Sequence, residues 1–366
     1  MTVTHRKQFQ TSIQRDSWVE VNLSALERNY KKIKDIVKVN IMAVLKADAY
    51  GHGATAIAPV LQKLGVNSFG VATVDEGIAL RNAGITLPIL MLGAAPSWSY
   101  DTCIENNLAV AVFSKEQFEK LEELCCSKNS MLKAHLKIDT GMNRLGIDCR
   151  NYKELVNKIL NSKWIKVEGI FSHLSHPVEQ DFSLLQKERF DSVLTQIKEK
   201  NLEKHFANTY AAINNPEFRY NLVRIGIGLY GQEFDFLEPL ISVKGRVTEI
   251  HKVLKGDFIS YERTWKAQKD SLIATVPIGY ADGVDRKLSN KISAIYNGER
   301  IKQVGTITMD QMMFDISEIK DPKANDVIIL IDKEIPISNW AKELNTITYE
   351  LICRLKIRLP KVYTRD

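Results

Sequence analysis

Ala43-Val44-Leu45-Lys46-Ala47-Asp48-Ala49-Tyr50-Gly51-His52-Gly53 closes an apolar run that begins at Ile41. The run reads as a buried parallel strand. It delivers a single lysine where the strand ends, and two glycines then let the chain turn sharply. In a barrel of parallel strands the C-terminal strand ends carry the chemistry. On these residues alone, two readings of Lys46 stand. It is a lysine that snorkels out of a strand end, or an amine desolvated by apolar neighbours, with a lowered pKa, usable as nucleophile or base.

Outward from this stretch, short apolar strands alternate with amphipathic helical segments. Strands are predicted near 41–45, 69–72, 89–92, 109–112, 134–138, 167–172, 204–208 and 222–227, with helices near 54–64, 75–83, 115–125, 151–161 and 182–199. This alternation means parallel α/β. Eight repeats fit a (β/α)8 TIM-type barrel. An open doubly wound sheet is the alternative, but the Gly-x-Gly-x-x-Gly string in the chain, Gly226 to Gly231, follows the eighth strand and not the first, where such a sheet would need it. Before the barrel, Asp16-Ser-Trp-Val-Glu-Val-Asn-Leu alternates as a strand, and Ser24 with Glu27 reads as a helix N-cap and its capping-box partner. After about residue 240 short strands predominate: 240–253, 257–261, 272–276, 292–296, 300–315 and 326–331, with a helix only near 338–344. The expected organisation is an N-terminal arm over 1–16, a barrel over 17–240 and a β-rich domain over 241–366.

The chain has 366 residues, 45% of them hydrophobic, with a formal net charge of +6 and no dense Lys/Arg block. Such a mild, dispersed charge does not point to nucleic acid. The first fifteen residues are polar and lack the apolar core of a secretory signal, and no stretch is long enough to span a membrane. A cytoplasmic location is the expectation. The five cysteines, Cys103, Cys125, Cys126, Cys149 and Cys353, show no Cys-x-x-Cys spacing, so reduced thiols are expected rather than a disulfide framework or zinc cluster. His173 and His176 lack a third ligand nearby, and no metal is expected.

Further strings frame the chemistry. Leu136-Lys137-Ile138-Asp139-Thr140-Gly141-Met142-Asn143-Arg144-Leu145-Gly146 follows the fifth strand, and its glycines free the backbone to bring Arg144 to the barrel mouth. A guanidinium there can donate to a carboxylate or phenolate, and a solvated turn arginine is the competing reading. His173 closes the sixth strand. Thr209 and Gly226 follow the seventh and eighth, where barrels often bind phosphate. Arg224 is a charge inside an apolar strand, which demands a reason.

Lys46-Ala-Asp-Ala-Tyr50-Gly-His-Gly closely resembles the lysine motif of alanine racemases, which are pyridoxal phosphate (PLP) enzymes of the barrel-type fold class. The 136–146 string resembles that family's second signature. Further matches, in the family's order, extend the resemblance over residues 16–366. The resemblance implies that Lys46 carries pyridoxal 5'-phosphate as a Schiff base. It assigns Arg144 to the cofactor's phenolic oxygen and the substrate carboxylate, and it implies a carbamylated lysine at Lys137 in some members. His173 is then a group that hydrogen-bonds the ring-facing arginine, Arg224. Tyr50, Asn208, Thr209, Gly226, Ile227 and Tyr349 join Lys46, Arg144, His173 and Arg224 as cofactor-binding positions. The family usually has Ser where Thr209 stands, and either supplies a hydroxyl.

An arginine at the ring nitrogen has a chemical consequence. It keeps its proton and leaves the nitrogen unprotonated, so the ring is a weaker electron sink than one paired to a carboxylate. Reprotonation at Cα then outruns side reactions, which favours racemisation over a barrel-type PLP decarboxylase.

In the β-rich domain, Ser260-Tyr261-Glu262-Arg263-Thr264 resembles the string that holds the family's second catalytic base, with Glu262 where the family has glycine. Either that turn does not need positive φ, or the pocket edge is reshaped. Tyr280, Met309 and Asp310 lie in strings that line the family's substrate pocket. The implied function is two-base interconversion of L-alanine and D-alanine, with Lys46 on one face and Tyr261 on the other. The product would feed peptidoglycan synthesis. The implied assembly is a head-to-tail homodimer with shared active sites. A racemase for serine or a broader range of amino acids, given Glu262 and Arg263, and a non-enzymatic PLP-binding protein are the alternatives.

Overall fold

The structure, a computed structural model, describes residues 14–197, 201–355 and 358–366. The chain divides into two compact units. The larger comprises Glu27–Ala49 and Gly53–Leu237.

Its centre is a closed barrel of eight parallel strands: Asn40–Val44, Ser68–Val71, Ile89–Met91, Leu108–Val112, Leu132–Asp139, Ile165–Phe171, Glu203–His205 and Leu222–Ile225. The barrel closes through the pairing of Leu222–Ile225 with Asn40–Val44. The strands expected from the sequence are all present. Met42, Leu90, Ala109, Ala111, Phe171 and Leu222 pack together as one buried cluster. Burying a large aliphatic side chain of this kind is worth roughly 1.5–3 kcal/mol.

The surrounding helices begin where local chemistry allows. Thr73 and Glu76 form a reciprocal capping box at Val74–Asn82, and the Ser114 hydroxyl caps Lys115–Lys128. Helix Leu23–Val37 is capped by Asn22, whose side chain accepts from the Ala25 amide at 3.0 Å, and not by Ser24. Ser24 instead bonds Asp366 at the chain's end. Two short helices, Tyr100–Glu105 and Thr209–Asn214, were not legible, because six residues are too few to show a period of 3.6.

The second unit comprises residues up to Leu26, Tyr50–His52 and Glu238–Asp366. Its nine-stranded sheet includes Ser17–Asn22. This strand pairs antiparallel with Ile241–Arg246 and parallel with Lys361–Thr364. The first strand of the chain is therefore not part of the barrel, although its position in the sequence assigns it there. Its alternating burial is what a sheet with one covered face produces. The expected strand over 300–315 is two, Glu299–Val304 and Met312–Asp315, split by the loop that carries Met309 and Asp310. The helix near 338–344 runs Ile337–Leu344, and a second one, Thr348–Arg354, carries Tyr349.

Most of the expected N-terminal arm lies outside the described residues. Arg15 is firmly held: it donates to the buried carboxylate of Asp282 at 2.5 and 2.9 Å and to the Pro277 carbonyl at 3.1 Å. Among the described residues no helix is long and apolar enough to cross a membrane.

Candidate active site

Lys46 stands directly after the first barrel strand, and the chain beyond it takes an uncommon path. Ala47, Asp48, Ala49 and Tyr50 all adopt left-handed backbone, with φ between 53° and 54°. Each such L-residue costs roughly 1–2 kcal/mol, so four in succession persist only where the surroundings dictate them. Here the Ala47 amide donates to the Glu76 carboxylate at 2.7 Å, and the Asp48 carboxylate accepts from the Ala54 amide at 2.7 Å. The capping-box glutamate of one helix thus fastens the turn that presents Lys46. The side chain of Lys46 is exposed. Of the two readings of Lys46, this exposure matches the lysine that reaches out of the strand end, past the buried Leu45.

Lys137, from the fifth strand, is buried at the same mouth and donates to the Leu92 carbonyl at 3.3 Å. Its pKa is pushed down to about 8, by burial first and then by the charges of Arg144, Arg224 and Lys46, with Asp139 opposing. His173 is held well below its ordinary value by burial and by Arg224, Arg144, Lys137 and Lys46. The charges of Lys46, Arg144 and Arg224 thus act on both Lys137 and His173. The Arg144 loop is shaped by Asp139, whose carboxylate accepts from the Gly141 and Asn143 amides at 2.9 and 3.1 Å. Gly146 is required there, since a Cβ would lie 2.5 Å from the Asp139 backbone nitrogen. Buried Gln186 donates both to the Thr140 hydroxyl at 3.2 Å and to the His173 carbonyl at 3.1 Å, linking this loop to the sixth strand's end.

Arg224 is buried and fully engaged at its two terminal nitrogens. One donates to His205 Nδ1 at 2.9 Å and to the His205 carbonyl at 2.8 Å. The other serves the Ser172 carbonyl at 2.8 Å, the Phe206 carbonyl at 3.0 Å and His173 Nδ1 at 3.1 Å. Nε–H remains as its donor toward a ligand. Burial lowers its pKa to about 9, which leaves the guanidinium charged at neutral pH. Below it, the Gly226 amide donates to the Thr209 hydroxyl at 3.1 Å, and Asn208 accepts from the Ala211 amide at 3.1 Å. Ile227 is buried beside them.

The second unit gathers its own set. The Tyr280 amide donates to the Thr308 carbonyl at 3.0 Å, and the Thr306 hydroxyl to the Tyr261 carbonyl at 2.9 Å. Tyr261, Tyr280 and Met309 are thereby tied to one loop, and all three are exposed. Asp310 pairs with Arg358 at 2.6 Å. Tyr50 and Tyr349 lie with ring centroids 6.1 Å apart. Glu262 has φ 62°, so this turn does need left-handed backbone, and its carboxylate pairs with Arg286 at 2.7 Å. His176 is exposed next to Glu179 at 3.5 Å, and among the described residues no group of three His, Cys, Asp or Glu is placed to hold a metal.

The alanine racemase N-terminal domain matches residues 21–233 and the C-terminal domain residues 240–363. The chain belongs to the alanine racemase family. The alanine racemase of Clostridium tetani is 40% identical over 375 residues, covering 96% of each chain. The solved alanine racemase of Clostridium difficile superposes with a TM-score of 0.92 at 35% identity, covering 97% of each chain. That of Bartonella henselae, solved with covalently bound pyridoxal phosphate, gives a TM-score of 0.87 at 28% identity over 95% of this chain and 99% of that one. The family's enzymes are pyridoxal phosphate-dependent isomerases, and the barrel with its β-rich domain is their architecture.

The residues at the barrel mouth fit such a cofactor. A cluster of four cations suits its anionic oxygens, and the buried arginine keeps one N–H for a ring acceptor. Sequence reasoning gave no role to His135 or His205. The period of two along a strand places His135 on the same inward face as Lys137, and that spacing was the available signal.

Proposed function

We propose that this racemase interconverts L-alanine and D-alanine by a two-base reaction that uses pyridoxal 5'-phosphate held by its barrel. The observation that carries this is the match of both family domains, supported by the charges of Lys46, Arg144 and Arg224 that act together on Lys137 and His173. When bound, the cofactor withdraws electrons and makes the substrate's Cα proton acidic.

Lys46 anchors the cofactor and moves the proton at its Nζ on one face. Tyr261 moves it at its hydroxyl on the other, since inversion needs removal on one face and return on the opposite one. Arg144 binds the substrate carboxylate and the cofactor's phenolic oxygen, Arg224 and His173 orient the ring, and Tyr50, Asn208, Thr209, Gly226, Ile227 and Tyr349 hold the phosphate and close the cofactor site. Tyr280, Met309 and Asp310 exclude larger side chains. Tyr261, Tyr280 and Met309 are each exposed, as suits a head-to-tail homodimer that shares active sites. The product serves peptidoglycan synthesis in the cytoplasm.

The test is D-alanine formation from L-alanine by the purified holoenzyme, with Lys46→Ala as control. Turnover abolished in the variant supports the reading; a wild type that binds the cofactor but converts no alanine contradicts it.

A further inference from the structure

We propose that Glu203 and His135 are positioning residues for Arg224. The guanidinium, His205 and His135 form one hydrogen-bonded chain, with the Glu203 carboxylate facing its far end, that holds Arg224 toward the cofactor's ring nitrogen. This rests on the role given to Arg224 above.

The order of the chain follows from chemistry. A guanidinium only donates. Arg224 lies 2.9 Å from His205 Nδ1, so that nitrogen accepts and the neutral ring carries its proton on Nε2. His205 Nε2 lies 2.9 Å from His135 Nδ1, which must accept in turn. His135 therefore carries its proton on Nε2, and this atom faces the Glu203 carboxylate at 3.9 Å. That separation is beyond a direct hydrogen bond but within reach of the carboxylate's field, which favours a proton on the facing nitrogen. A cation at one end and an acid at the other polarise every link in the same sense.

The surroundings fix the rings. Gly169 faces His135 across the fifth and sixth strands, and a Cβ there would lie 2.3 Å from His135 Nδ1. The missing side chain is the slot that the imidazole fills. Phe171 stacks on His205 with centroids 4.7 Å apart and lies under the guanidinium at 5.4 Å. Both imidazoles are kept neutral: burial and then Arg224 push His135 down to about 3, and burial, Arg224 and His135 hold His205 well below its ordinary value. Glu203 is raised by burial and by neighbouring Glu168.

The test is imidazole nitrogen NMR on isotope-labelled holoenzyme, paired with kinetics. Both histidines are expected to be neutral with the proton on Nε2 across the neutral pH range. His135→Phe is expected to lower kcat about tenfold, as for loss of one buried bond in a charged network. It should leave KM for alanine little changed and shift the visible absorbance of the bound cofactor. His135→Asn, which keeps an acceptor toward His205, restores most of the loss. Protons on Nδ1, or a His135→Phe variant with wild-type kcat and spectrum, overturn the proposal. Should His135→Phe not fold, Glu203→Gln at the part-exposed end serves: the His135 nitrogen shifts are expected to move, and unchanged shifts refute the Glu203 link. The tautomers are read whether or not cofactor is bound. Failure of the chain and failure of the cofactor assignment therefore register separately.

Discussion

Glu262 holds left-handed backbone at φ 62° while its carboxylate pairs with the Arg286 guanidinium at 2.7 Å. The strain and the pair oppose each other. A non-glycine residue in this region costs roughly 1–2 kcal/mol, whereas an exposed ion pair returns only about 0–1 kcal/mol. Glu262→Gly should therefore exceed Glu262→Ala in stability by about 1 kcal/mol, since both lose the pair and only glycine relieves the turn. Urea unfolding of the two variants checks this, and equal midpoints would show that the turn is unstrained.

Asp282 is the fully buried anchor of the C-terminal unit. It receives Arg15 at 2.5 Å and Arg358 at 2.9 Å, and it accepts from the Gly279 amide at 2.9 Å. Asp282→Ala leaves Arg15 without its counter-ion and Arg358 with Asp310 alone, and is expected to cost about 2–4 kcal/mol, less than a fully buried pair because Arg358 is half-exposed and keeps that second partner. Thermal unfolding reads the loss. Arg15→Ala should reproduce only part of it.

The barrel was legible because most of its strands carry an apolar run and alternate with amphipathic helices, Glu203–His205 being the exception. The strand Ser17–Asn22 was legible as a strand but not as a member of the second sheet, because its partners lie more than two hundred residues away at Ile241–Arg246 and Lys361–Thr364. Lys46 stood out as a charge at an apolar strand end, Arg224 as a charge inside one, and Arg144 by the glycines that flank it. His135 and His205 did not, since a histidine in a strand is usually explained by packing. Their connection to Arg224 depends on three strands meeting inside a closed barrel, which no local pattern encodes.

Lys137 links the site to pH. Its ordinary value of 10.5 falls to about 8 in the fold, chiefly through burial. Between those two values the unfolded chain binds more protons than the folded one, so stability rises as pH climbs from about 8 toward 10.5. Below about 8 the destabilisation is complete. Lys137→Met is thus expected to be more stable than wild type at neutral pH, with the gap closing as the pH is raised through that window. Denaturant unfolding of cofactor-free protein, in buffers without bicarbonate, measures it; a gap independent of pH would mean that Lys137 is not desolvated.

Gly279 is needed for space. A Cβ there would lie 2.3 Å from the Thr308 carbonyl and 2.5 Å from that of Met309, so Gly279→Ala must displace the loop that carries Met309 and Asp310. The expected result is a fall in kcat/KM of about tenfold or more with cofactor absorbance retained, because the barrel residues are untouched. Loss of the cofactor along with activity would contradict that separation.

The central claim is that Lys46 and Tyr261 divide the proton transfer between them. The most direct measurement is D-alanine formation from L-alanine by Tyr261→Phe beside wild type, with the visible absorbance of the bound cofactor recorded on the same samples. The account predicts unchanged absorbance and a loss of turnover of about 100-fold or more, the scale of a missing acid–base group. A variant that racemises at the wild-type rate would contradict it.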